Sequence, residues 1–311
     1  MPHANQLYKE IILKYPETEV ASKAKKRLAK LLKKQLKTHE GGPMKTDISK
    51  IDFSSFDNPG LLSFLFHPRK ESPGSLPLEN AEDILIPVGD NAVIGAKLHH
   101  GDKKAPTILF FHGNGEIVSD YDDLGPLYTE MNINFLPVDY RGYGRSTGTP
   151  TVTSMIRDCH LIFDYIKKWL ESNSYTGPII IMGRSLGSAS ALELASAYPD
   201  EFSALVIESG FAYAVPLLRL LGVNIDAMSI KEENGFRNIE KVKNYTGPTL
   251  VIHAEYDHII PYSDGQALFD ASPSSSKKLL KIPEANHNTI FAIGLKEYMK
   301  SVKEIVEKAS K

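Results

Sequence analysis

The sequence predicts an α/β fold: a mostly parallel, eight-stranded sheet with helices on both faces. Three observations carry that prediction. After His112, apolar runs of strand length alternate with longer amphipathic stretches of helical period, the pattern of a parallel sheet covered on both sides. Pro178 to Ala191 reads PIIIMGRSLGSASA, in which a β-branched run breaks at Gly183 and resumes as small helix-forming residues. That is strand, sharp turn, helix. Ahead of the alternation, Val88-Gly89-Asp90-Asn91-Ala92 separates two apolar runs and supplies the turn chemistry of an antiparallel hairpin.

Taken in order, residues 1–40 differ from everything after them. They carry ten Lys or Arg against four Glu, with no Gly or Pro between Glu17 and Glu40, and so read as a basic helical extension. Leu7, Ile11 and Ile12 form one apolar stripe; Val20, Ala24, Leu28, Leu31 and Leu32 form a second beyond Tyr15-Pro16. The phrase LYKEIILKYPETEVASKAKKRLAKL resembles one tetratricopeptide-type helical hairpin. A lone repeat cannot bury its own face, so it packs on the main domain, on a second copy or on a partner protein. The plain reading is an extension with a solvated basic face. The alternatives are a docking arm that makes a homo-oligomer or holds a protein partner, and an arm that rests on a membrane surface.

Gly41-Gly42-Pro43 punctuates the end of that segment. Residues 41–80, rich in Pro, Ser and Phe, are expected to wrap the main domain without a regular pattern of their own. The catalytic-sized domain then runs over 81–311. Strands are predicted at 83–88, 92–99, 107–111, 133–138, 178–182, 203–208, 248–253 and 277–282. Helices are predicted at 119–131, 151–170, 185–198, 262–271 and 289–309, with mixed helical segments forming a small cap at 211–243.

Composition excludes several classes. A net charge of −2 with both signs interspersed gives no reason to expect nucleic acid or an anionic membrane as the main partner. The single cysteine, Cys159, cannot form an internal disulfide, and its apolar helical neighbours predict a buried, inert thiol. No N-terminal apolar region or run of 18 apolar residues is present, so neither a transmembrane segment nor export is expected. A cytoplasmic location follows as the expectation. Ten histidines include no HExxH and no cysteine partners, so no metal is expected.

The chemistry falls at strand ends. Gly183-Arg184-Ser185-Leu186-Gly187 matches G-x-S-x-G, where a strained turn lifts the serine oxygen clear of the sheet and a Cβ on either flanking glycine would clash. Serine at its free pKa is a poor nucleophile and needs a base, which in turn needs an orienting group. Asp257 follows the strand at 248–253, and His287 follows the strand at 277–282. Ser185, Asp257 and His287 thus come in the chain order of a triad on a parallel sheet, all on one edge. An oxyanion needs two donors. The Leu186 N–H at the start of the nucleophile helix is one; the loop His112-Gly113-Asn114-Gly115-Glu116 supplies the other, assigned to Asn114 with Gly115 as the fallback. Glu116 adds a carboxylate in the substrate vicinity that either selects substrate charge or only starts a helix. Gly142-Tyr143-Gly144-Arg145-Ser146-Thr147-Gly148 lacks dinucleotide-site spacing and reads as a loop beside the site, with Tyr143 in the substrate vicinity. His99, His100, His253 and His258 are read as structural or supporting.

The set HGNGE (112–116), VDYRGYGRSTGTPT (138–151), GRSLG (183–187), PTLVIHAEYDHIIP (248–261) and ANHN (285–288) resembles the serine-hydrolase branch of the α/β-hydrolase superfamily, in particular its esterase or lysophospholipase-like and acyl-protein thioesterase-like members. The resemblance covers roughly 80–311. It implies an α/β-hydrolase fold and cofactor-free cleavage of esters, thioesters or occasionally amides through an acyl-enzyme. By motif position it implies Ser185 as nucleophile, Asp257 as acid, His287 as base, and Leu186 and Asn114 as oxyanion donors. Ala254 departs from the pattern, since relatives commonly have glycine before the acid loop. The expected activity is therefore that of a carboxylic ester hydrolase on a small-molecule ester, with a peptidase, an acyl-protein thioesterase or a partner-binding protein docking through 1–40 as alternatives.

Overall fold

The computed structural model describes residues 47–72 and 78–310, together with 23, 24, 26 and 27. The helical-hairpin expectation for residues 1–40 lies outside the described residues. Eight strands form one sheet: β1 (Ala81–Pro87), β2 (Val93–His99), β3 (Thr107–Phe111), β4 (Asn134–Val138), β5 (Ile179–Arg184), β6 (Ala204–Glu208), β7 (Thr249–Ala254) and β8 (Lys277–Ile282). Their order is β1-β2-β4-β3-β5-β6-β7-β8. β2 pairs antiparallel with β1 and β4, and every pairing from β4 to β8 is parallel.

The hairpin is the one the turn residues predict. Asp90 and Asn91 both take positive φ, at 57° and 58°, and Val88 N–H donates to Ala92 O at 3.0 Å. Two consecutive left-handed residues match the right-handed twist of the flanking strands, which explains why Asp and Asn stand there.

Strand side chains divide by parity between two cores. Leu109, Phe111, Ile181, Leu205, Ile207 and Val251 join one cluster, while Ile108, Phe110, Ile180, Met182, Val206, Leu250 and Ile252 join the other. Both faces of the central strands are therefore dry, as their continuous apolar character requires. The first cluster is roofed by α3 (Val152–Ser172), α4 (Gly187–Ala197) and the cap; the second by α2 (Gly125–Glu130) and α9 (Ile290–Ala309).

Two regions differ from expectation. The segment 47–72 has regular structure of its own: a 3-10 turn at Ile48–Lys50 and helix α1 (Pro59–Leu65). Asn58 caps α1 through Gly60 N–H, and Pro59 occupies its first turn, a helix-start signal present in the sequence. Phe56, Leu61, Leu65 and Phe66 bury themselves in the first core. The helix expected over 119–131 is instead a 3-10 turn at Val118–Tyr121 followed by α2, because Pro126 cannot donate to the preceding turn and confines the residue before it. The cap consists of α5 (Ala214–Leu220), α6 (Ile225–Met228), a 3-10 turn at Glu232–Asn234 and α7 (Asn238–Val242). Helix α8 (Tyr262–Ala271) links β7 to β8. No described helix is long and apolar enough to cross a membrane.

Candidate active site

All the predicted chemistry sits where strands β3, β5, β7 and β8 end in loops along one edge. β5 stops at Arg184, and Ser185 turns the chain with φ +50°, the left-handed conformation a strained elbow demands. Its N–H donates to Glu208 O at 2.8 Å, which ties the elbow to the adjoining strand β6. The flanking glycines are sterically required. A Cβ on Gly183 would lie 2.3 Å from Gly187 O, and one on Gly187 would lie 2.1 Å from Phe111 O. Both are closer than atoms can approach.

His287 reaches the elbow from the loop after β8. Its Nε2 lies 3.1 Å from Ser185 Oγ, and its Nδ1 lies 2.7 Å from Asp257 Oδ2. Asp257, on the loop after β7, uses its other oxygen to accept the N–H groups of Ile259 at 3.0 Å and Ile260 at 2.8 Å. Burial would raise its pKa, but the His287 hydrogen bond and charge and the Ile260 N–H outweigh it and hold the carboxyl below its ordinary value. Ser185, Asp257 and His287 are thus in mutual hydrogen-bond reach, with 8% or less of each exposed. Such a set can pass a proton from serine to imidazole while the carboxylate stabilises the cation.

His253 was legible only as a supporting residue, and its surroundings fit that. It is fully buried, its Nε2 lies 2.9 Å from Ile260 O and 3.5 Å from Asp257 Oδ2, and burial lowers its pKa. A neutral ring donating to Ile260 O pins the same loop that carries Asp257. Gly265 leaves room for it, since a Cβ there would meet His253 Nδ1 at 2.4 Å.

The loop after β3 is held from several sides. Tyr140 hydroxyl donates to His112 O at 2.6 Å, and His112 lies between Gly113 O at 2.8 Å and Asp139 at 3.2 Å. Asn114 Oδ1 accepts His67 N–H at 2.8 Å and the Tyr143 hydroxyl at 2.7 Å. Among the described residues, the backbone N–H groups of Asn114 and Leu186 have no acceptor within the protein. The Gly115 N–H likewise has none, while its carbonyl accepts Arg69 Nε–H at 2.7 Å.

Two sequence expectations change here. Tyr143 is completely buried, so it does not line a substrate surface; its hydroxyl braces Asn114 and also accepts His67 N–H at 2.8 Å. A phenol packed under a loop reads the same in sequence as one packed beside it. Glu116 is likewise unavailable for selecting substrate charge. One carboxylate oxygen accepts Arg184 Nε–H at 2.8 Å, and the other accepts Gly113 N–H and the Tyr121 hydroxyl, both at 2.6 Å. Burial would raise this carboxyl, but Arg184 and Tyr121 outweigh it and bring it down to about 2.

Sequence reasoning missed the partners of that carboxylate. Arg184 and Glu208 close two otherwise apolar strands, and the parallel register sets them side by side as an ion pair. Opposite charges ending adjacent apolar runs were the available signal. It also missed the segment 67–71, where Arg69 Nε donates to Gly115 O at 2.7 Å and Lys70 Nζ donates to Ser146 O at 2.7 Å. Among the described residues no group of three His, Cys, Asp or Glu side chains could hold a metal ion.

A doubly covered eight-stranded sheet, its antiparallel hairpin at one edge and a serine elbow after a central strand, defines an α/β-hydrolase, and this chain belongs to that superfamily. Residues 102–226 match the family described as serine aminopeptidases of group S33, a span that includes Asn114 and Ser185 and ends before Asp257 and His287. Alpha/beta hydrolase domain-containing protein 17B of Homo sapiens is 31% identical over 212 residues, 64% of this chain and 66% of the relative. Alpha/beta hydrolase domain-containing protein aho-3 of Caenorhabditis elegans is 33% identical over 189 residues, 59% of this chain and 53% of the relative. The chain therefore spans between about half and two thirds of the length of these curated relatives. In fold it is similar to an esterase of Pyrococcus furiosus, with TM-score 0.62 and 18% identity over 79% of this chain and 98% of that one. It is also similar to Est1E of Butyrivibrio proteoclasticus, solved with ferulic acid bound, with TM-score 0.61 and 22% identity over 73% of this chain and 98% of that one.

Proposed function

We propose that this protein is a serine hydrolase that cleaves carboxylic esters or thioesters of small acyl substrates through an acyl-enzyme. The observation that carries the reading is one imidazole within hydrogen-bond reach of both Ser185 Oγ, at 3.1 Å, and Asp257 Oδ2, at 2.7 Å. His287 Nε2 takes the Ser185 proton as Oγ bonds to the acyl carbon, and the oxyanion is met by the Leu186 and Asn114 N–H groups. His287 then returns the proton to the departing alkoxide or thiolate. Water, deprotonated by the same nitrogen, releases the acid and regenerates the serine. Asp257 keeps the imidazole in the tautomer that presents a bare Nε2.

Acyl substrates rather than charged ones suit the surface around this edge. Tyr213 follows β6, Tyr256 follows β7 and Ile293 follows the His287 loop; all three expose large apolar area. Cleavage of a peptide amide uses the same machinery, and the match to a serine aminopeptidase family keeps it as the second reading. A cytoplasmic location belongs to the proposal and rests on the single, buried cysteine.

The test compares native protein with Ser185→Ala for labelling by a fluorophosphonate probe, then for hydrolysis of p-nitrophenyl esters of increasing chain length. Expected are labelling and turnover that vanish in the variant while its thermal unfolding is unchanged. Turnover of the native protein should rise with pH and then level, as a base that must be neutral demands. Full activity in Ser185→Ala sinks the assignment.

A further inference from the structure

Arg184 lies between residues of the nucleophile motif, yet it touches neither substrate nor reacting atoms. Its guanidinium is buried and makes three separate connections. Nη2 donates to the His287 carbonyl at 2.9 Å, Nε donates to Glu116 at 2.8 Å, and Nη1 pairs with Glu208. Each partner belongs to a different part of the site. His287 O lies on the loop that carries the base. Glu116 passes the connection on to Gly113 N–H at 2.6 Å, one residue before Asn114. Glu208 accepts the Ser185 N–H on its carbonyl at 2.8 Å, so the third arm returns to the elbow.

We propose that Arg184 is a positioning residue that couples the oxyanion loop to the base loop across the elbow. It keeps the Asn114 N–H and His287 Nε2 at matched distances from Ser185 Oγ through one rigid fork. The inference rests on the reading of Ser185, Asp257 and His287 given above. A guanidinium suits the task because its donors are fixed in one plane, whereas an ammonium is a point charge on a flexible stem. Two carboxylates flank it, Glu116 and Glu208, and with the His287 carbonyl they use Nε, Nη1 and Nη2. One buried side chain thereby joins the oxyanion loop, the base loop and the strand that holds the elbow.

Glu116→Gln separates positioning from support. An amide accepts at one end and donates at the other, so it must face either Arg184 Nε–H or Gly113 N–H with a second donor, and one arm of the coupling opens. The control is Lys97→Met, which breaks the ion pair of Lys97, on β2, with Asp122 and touches none of the partners of Arg184. Three quantities are measured in each: the fluorophosphonate labelling rate, kcat and KM for p-nitrophenyl butyrate, and the thermal midpoint. Glu116→Gln should lose roughly 10- to 100-fold in kcat and in labelling rate, as a misplaced reacting group does. Its KM should stay within about twofold, because the lost alignment matters only at the transition state. Lys97→Met should lower the midpoint and keep kcat. Native-like kcat in Glu116→Gln overturns the proposal, as does an equal loss in both variants at equal midpoint. Should Glu116→Gln fail to fold, Arg184→Lys, which keeps the charge and loses the fork, is read against the same two outcomes. Native protein that resists labelling overturns the serine-hydrolase reading instead, so the two failures are distinct.

Discussion

The elbow and the cap lie at the same edge of the sheet and are built by opposite rules. From Gly183 to Gly187 every residue is buried, the glycines have no room for a methyl, and Ser185 is held in a left-handed turn by the neighbouring strand. In the cap, α5, α6 and α7 have seven, four and five residues, and Tyr213, Leu220 and Leu221 expose large apolar area. Short helices carry little cooperativity of their own and take their order from whatever they pack on. The difference separates the two demands on such a site: chemistry needs atoms fixed to fractions of an ångström, while acceptance of a substrate needs a surface that tolerates change.

The contrast can be broken most forcefully at the acid. Asp257→Asn should lower kcat by about 10⁴-fold, because an amide stabilises the wrong imidazole tautomer, with a normal circular dichroism spectrum. A loss below tenfold in steady-state kinetics would mean that the elbow does not depend on the fixed geometry. Gly187→Ala tests the packing itself. Its Cβ would meet the Phe111 carbonyl at 2.1 and 2.6 Å, so denaturant unfolding should report a loss of about 3 kcal/mol, the upper end for overpacking, or more.

Acid should act on the same region. Glu116 is held at about 2, below its ordinary 4.5, and Asp257 is also lowered, so the unfolded chain binds protons that the folded chain refuses. Their contribution is complete above about pH 4.5 and is lost as the pH falls toward 2. Thermal midpoints followed downward from pH 6 should drop through that window, and less steeply in Glu116→Gln; identical slopes would refute the assignment. At the small end, Leu220→Ser on the cap surface should change stability by no more than about 0.5 kcal/mol. Its effect should instead fall on KM for the longer p-nitrophenyl esters, and none on kcat for the acetate.

How much was legible follows from the same contrast. Ser185, Asp257 and His287 could be placed because each is announced locally, by a strand that ends in a turn, and because parallel strands bring all such ends to one edge. The hairpin was legible for a similar reason, through Asp90 and Asn91. Helix α1 was missed although Asn58 and Pro59 announce it, since the surrounding Pro, Ser and Phe obscured a helix of only seven residues. Which way Tyr143 and Glu116 point was not legible, because proximity to a motif says nothing about the direction of a side chain.

By itself, then, the sequence determined the fold class, the elbow and the order of the three residues on the sheet edge, because these depend on periodicity and on residues within a few positions of one another. Only the tertiary structure decided what holds them. Arg184 meets Glu208 24 residues away, Glu116 68 residues away and His287 103 residues away. A charged side chain chooses its partners by the register of strands and the path of loops, and neither is written in the neighbours of any one residue.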